Sequence, residues 1–180
     1  MILVELLGFG KNEVFYGEMN GKLIPFLKKV ILENQNDYII IASGWRGEAG
    51  WLKDFLIKKS IPLKNIYLET AACMTSENIS FVFRKLLTKN EEWPNFDQIN
   101  EIIFIGEKGS KQEVLWLAPR IYSRMTAGKK CLKKIAFFPL KLLSYRNRKK
   151  KEKKIIFSKI AFYFPVFHTF LRALRRKDII

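Results

Sequence analysis

Apolar and polar positions alternate between two periods along the first 140 residues, and the switch recurs in one order. Short runs rich in β-branched residues, Ile2 to Leu7, Tyr38 to Ala42, Ile66 to Leu68 and Glu101 to Ile105, have the length and flanks of buried strands. Between them lie segments with helical spacing. Lys22 to Asn34 brings Leu23, Phe26, Leu27, Val30 and Ile31 to one face, with Pro25 in the first turn, where a missing N–H costs nothing. Glu48 to Lys59 brings Leu52, Phe55 and Leu56 inward, and Ile61-Pro62 ends it. From Ser76 to Thr88 the stripe Ile79, Val82, Phe83, Leu86, Leu87 follows i, i+3, i+4, i+7, i+8. Ser110 with Glu113 has the spacing of a capping box and predicts a helix through Trp116 to about Arg124, bent at Pro119. Lys134 to Phe138 predicts a fifth strand ending at Pro139, and Asn90 to Asn100 a loop.

Strands alternating with helices predict an α/β fold: a three-layer, Rossmann-like domain with a mainly parallel sheet of about five strands over residues 1–138. A basic, aromatic C-terminal extension would then cover residues 139–180. In such a fold ligands bind at the carboxyl edge of the sheet, where strands pass into helices, and the small and polar residues of this chain cluster at those passages. Ser43-Gly44, Thr75-Ser76 and Gly109-Ser110 each precede a predicted helix, whose first N–H groups and dipole favour an anion. Thr75 and Ser110 could equally cap their own helices. Gly8-Phe9-Gly10 is either a loop that lets backbone approach a ligand or simply a turn. Glu48, Glu69, Glu77 and Asn78 come toward the same edge. A carboxylate there can act as general base, metal ligand or acceptor from a ribose or sugar hydroxyl, although Glu48 and Glu77 also fit first helical turns for the dipole alone. Asn78 in a first turn has little structural excuse, which favours a functional part for it.

The ordered set Ser43-Gly44, Glu48-Ala49, Ile61-Pro62, Ile66, Leu68-Glu69-Thr70, Thr75, Glu77 and Asn78 resembles the central motif of the SanA/YdcF-like bacterial family, which includes the ElyC-type proteins. The likeness extends more weakly from Leu7-Gly8-Phe9-Gly10 to about Arg120. It implies binding of, or action on, a phosphate-bearing molecule such as a nucleotide or a lipid-linked envelope precursor, in the context of envelope polysaccharide metabolism. On that reading Glu48, Glu77 and Asn78 are the catalytic candidates, and Gly8, Gly10, Ser43, Gly44, Glu69, Thr75 and Ser110 the ligand-binding ones. No cofactor is named by the motif. The chain departs from the family after the fourth strand, where Ser110 stands in the polar loop that usually holds a histidine. Binding without turnover, or chemistry through Glu107 and Lys108, would follow from that change.

Charge adds a second feature. Of the net +16, residues 1–110 contribute −1 and residues 111–180 contribute +17. Arg146 to Lys154 is a run of Lys and Arg broken by Asn147 and Glu152, too self-repelling to fold alone and expected to be a solvated linker. Ile155 to Leu174 is rich in Phe and Ile, but its apolar run, Ile155 to Leu171, is 17 residues and includes Lys159, Pro165 and His168, below the roughly 20 needed to span a bilayer. It predicts either a last helix packed on the domain or attachment to an anionic membrane surface through residues 146–177. Nucleic acid is disfavoured, because no folded basic groove or RNA-type aromatic platform is evident. A noncatalytic adaptor that uses this tail is thus the alternative to a ligand-binding protein. Met1-Ile2-Leu3-Val4-Glu5 has no basic n-region, which predicts a cytoplasmic chain, peripheral at most to the inner face of the membrane. Cys73 and Cys131 are isolated and have no metal-ligand spacing, and His168, the sole histidine, lies among phenylalanines.

Overall fold

The computed structural model describes residues 1–7, 16–35, 37–88, 92–128, 133–141, 156, 158–164, 168–169 and 172–173. Five strands, β1 (Ile2–Leu7), β2 (Tyr38–Ser43), β3 (Ile66–Glu69), β4 (Glu101–Glu107) and β5 (Lys134–Leu140), form one sheet in the order β3-β2-β1-β4-β5. Every pairing is parallel. The chain therefore winds outward from β1 in both directions, which puts the topological switch point between β1 and β4.

Strand parity sorts the core into two layers. Val4, Leu6, Ile40 and Ala42 face α2 (Ile24–Glu33) and α3 (Glu48–Lys58). Leu3, Leu7, Ile39, Ile41 and Phe104 face α4 (Thr75–Leu87) and α5 (Lys111–Thr126). The predicted stripe on α4 is the buried one: Ile79, Val82, Phe83 and Leu86 are in the core, and Phe83 meets Phe96 and Tyr122 edge-on. The fold is thus the three-layer α/β arrangement that the alternating periods predict.

Differences are local and have physical reasons. The first helix is preceded by a single turn, α1 (Tyr16–Glu18), and a π-turn over Met19–Leu23, whose wider coil buries both Met19 and Leu23. β5 does not stop at Pro139 but runs to Leu140. It is an edge strand bonded only to β4, so a residue without an N–H is tolerated there. The capping box at Ser110 and Glu113 does not form. Ser110 is helical in backbone (φ −90°, ψ −5°) and closes a 3₁₀ turn over Lys108–Ser110, whereas a capping residue needs an extended backbone. Thr75 is likewise no cap, but the first residue of α4. Extended Met74 holds the cap position and gives no side-chain bond. Pro119 lies inside α5, which continues past it to Thr126.

A short C-terminal helix, α6, covers residues 158–163 and lies against α5. Its Ser158 Oγ donates to the Glu113 carboxylate, the Arg124 guanidinium donates to the Phe162 carbonyl at 3.1 Å, and Phe162 packs edge-on to Trp116. Among the described residues no helix is long and apolar enough to cross a membrane. The basic run 146–154 lies outside the described residues, as do Gly8, Gly10 and Cys131.

Candidate functional site

Because all strands are parallel, their carboxyl ends share one edge, and the sheet register places Ser43 of β2 beside Glu69 of β3. Both side chains point to the α4 face, since Ser43 has the parity of Ile39 and Ile41. Ser43 Oγ lies 2.9 Å from Asn78 Oδ1 and 3.3 Å from Glu69 Oε2. One hydroxyl carries one proton, and the shorter contact gives it to Asn78. Asn78 is thereby held with its oxygen toward β2 and its amide nitrogen turned away from Ser43. This bond ties the end of β2 to the first turn of α4.

Glu69 organises the loop between β3 and α4. It accepts the N–H groups of Ala71 at 2.8 Å and Ala72 at 3.1 Å, while its own carbonyl takes the Gly44 N–H at 3.0 Å. Backbone donors thus compensate a carboxylate that is 1% exposed. Glu77 closes the same loop from the helix side. Its Oε2 accepts the Cys73 N–H at 2.9 Å and the Cys73 thiol at 3.2 Å. Burial, and then the adjacent Glu77, push the Cys73 thiol up from its usual range, which favours its protonated form.

The other oxygen of Glu77 faces a residue that sequence reasoning assigned only to the basic tail. Arg172 Nε stands 2.9 Å from Glu77 Oε1, and the guanidinium lies 5.6 Å from the centre of the Phe81 ring. The two atoms are close but poorly aligned for a hydrogen bond, so the contact is a charge pair. No local pattern could have found it, because the partners are 95 positions apart. The C-terminal segment also walls a cavity of ≈ 280 Å³ beside α4 and α5, whose lining includes Ser76, Ser80, Arg124 and the half-buried His168.

A fourth acid beside Glu48, Glu69 and Glu77 was missed within an apolar run. Glu5, in the middle of β1, is wholly buried, and neither carboxylate oxygen has a hydrogen-bond partner among the described residues. Its register neighbours Ile41 and Phe104 belong to the α4/α5 layer, so it points to the same side as Ser43 and Glu69. Burial first, and Glu69 second, hold its pKa well above the ordinary carboxylate value. The acid is neutral where an ionised one would be prohibitive. The signal for it was a lone Glu in Ile2-Leu3-Val4-Glu5-Leu6-Leu7.

The remaining candidates share the edge. Glu48 is half-buried in the first turn of α3, entered through Gly47, whose φ of 82° belongs to the left-handed region. Ser110 follows β4, on the other side of β1 from Ser43. Thr75 and Ser76 open α4, and their N–H groups are too early in the helix for intrahelical partners. Among the described residues no group of three or more His, Cys, Asp or Glu is arranged to hold a metal ion. The edge therefore offers a helix terminus without a side-chain cap, an oriented amide, and acids whose charge is largely compensated. No family model matches the chain, and no curated protein or solved structure matches it.

Proposed function

We propose that this protein binds a phosphate-bearing small molecule, a nucleotide or a lipid-linked envelope precursor, at the carboxyl edge of its sheet, in the manner implied by its resemblance to the SanA/YdcF-like family. The observation that carries the reading is the Ser43–Asn78 hydrogen bond, which fixes an amide beside the uncapped start of α4. An anion placed there meets the N–H groups of Thr75 and Ser76 and the positive end of a 13-residue helix. Glu48, at the start of α3, is the carboxylate suited to accept a sugar or ribose hydroxyl. Glu69 and Glu77 hold the intervening loop, and Glu5 remains uncharged, so the negative charge facing the ligand is small. Envelope polysaccharide metabolism is the context that the resemblance suggests.

The test is ligand-dependent thermal protection of the full chain against inorganic phosphate, nucleotides, S-adenosylmethionine and undecaprenyl phosphate analogues. Asn78→Asp keeps an acceptor for Ser43 but puts a negative charge at the helix start. Apparent affinity should fall by about tenfold or more, read against the variant's own ligand-free melting temperature, which a nearly buried carboxylate near Glu69 will lower. Protection equal in the variant and the parent would remove the site from this edge.

A further inference from the structure

We infer that the outer face of α6 docks on an anionic lipid bilayer. Ile156, Ile160, Tyr163 and Phe164 are 58, 38, 59 and 63% exposed. Ile160, Tyr163 and Phe164, at i, i+3 and i+4, line one side of α6, which a bond from the Phe164 N–H to the Ile160 carbonyl at 2.9 Å continues, and Ile156 stands four positions before Ile160. The opposite side is already spoken for: Ala161 is buried, and Ser158 and Phe162 are held by Glu113, Arg124 and Trp116 on α5. Ile160 and Phe164 therefore face away from the core, and Tyr163 lies at the margin of the stripe, half-exposed with its ring edge-on to Trp116 at 6.0 Å.

Charge selects the occupant. Residues 146–177 contain 12 Lys and Arg and a single acid, Glu152. Large aliphatic and aromatic side chains flanked by cations on the same segment match the boundary between headgroups and acyl chains of an acidic membrane. A second copy of the chain would bring the same positive charge against itself. Nucleic acid would reward the cations but leave the Ile and Phe side chains in water. The segment that carries the stripe also carries Arg172, which reaches Glu77, so a docked α6 would hold the proposed phosphate site near the membrane. The surface itself is independent of any ligand at that site.

Co-sedimentation of the full chain with phosphatidylglycerol–phosphatidylcholine vesicles and with pure phosphatidylcholine vesicles tests the inference. Binding to the acidic vesicles alone, weakened by salt, is expected. The double variant Ile160→Asn/Phe164→Asn, at two exposed positions, should partition about tenfold more weakly with unchanged melting. A milder variant, Phe164→Ser, should show the same direction. Asn78→Asp should bind vesicles as the parent does, which separates this surface from the ligand site. Equal binding to both vesicle types would overturn the inference. So would acidic-vesicle binding untouched by the stripe variants, or a stripe variant that changes only the oligomeric mass or only RNA binding.

Discussion

Glu5 is the residue at which sequence pattern and chemistry part most sharply. An acid in an apolar run usually marks a strand end or a wet face, yet here it sits wholly buried mid-strand without a hydrogen-bond partner among the described residues. With its pKa raised in the fold, the folded state holds a proton that the unfolded chain has released. Its contribution to stability is therefore complete below the ordinary carboxylate pKa and is lost as pH rises toward the folded value. Glu5→Leu should raise stability at neutral pH by on the order of 2 kcal/mol, with a smaller gain in acid. Denaturant melts of both proteins across acidic to neutral pH measure this, and a gain that is the same at every pH would contradict the assignment. Asn78 shows the opposite case. Its poor fit to a helical first turn was legible in the sequence, and the structure gives it a definite partner in Ser43. That bond also gives Asn78 a structural use, which composition alone could not weigh.

At the level of elements, what was legible followed from side-chain period. The strands were readable as short apolar runs because the central ones are buried on both faces, and the α4 stripe because burial on one helix face repeats every 3.6 residues. Caps were less so. Ser110 and Thr75 have capping side chains, but capping needs an extended backbone at that residue, and both are already helical. The tie between the C-terminal segment and α4 was invisible, since among the described residues it joins Arg172 to Glu77 and Phe81, far apart in the sequence. Arg172 is 30% exposed and Glu77 2%, so removing the cation leaves an almost buried carboxylate less compensated. Arg172→Met should destabilise by about 1–2 kcal/mol, below the cost for a fully buried pair because solvent screens the arginine. Combining it with Glu77→Gln should recover part of the loss, and a double-mutant cycle with no coupling would show that the pair is not formed in solution.

Across the whole molecule, two properties stay apart along the sequence, and among the described residues Arg172 is where the basic segment meets the start of α4. The first 110 residues, nearly neutral, supply the sheet edge and its oriented groups, while the last 70 supply the charge and the exposed apolar stripe. The three-layer fold was legible because strands and helices alternate. The convergence of Ser43, Glu69 and Asn78 followed from parallel topology, which sends every strand to the same edge. Which side chains would be spent on holding the loop was not legible, because Glu69 and Glu77 are committed to backbone groups that only the folded loop presents.

The central claim is that the start of α4 receives a phosphate group, and titration of the isotope-labelled chain with inorganic phosphate, followed by amide proton–nitrogen correlation spectra, addresses it most directly. Saturable shifts at the Thr75 and Ser76 amides and the Asn78 side chain, lost in Asn78→Asp, are predicted. Shifts confined to residues 146–177, or spread over the surface without saturation, would contradict it.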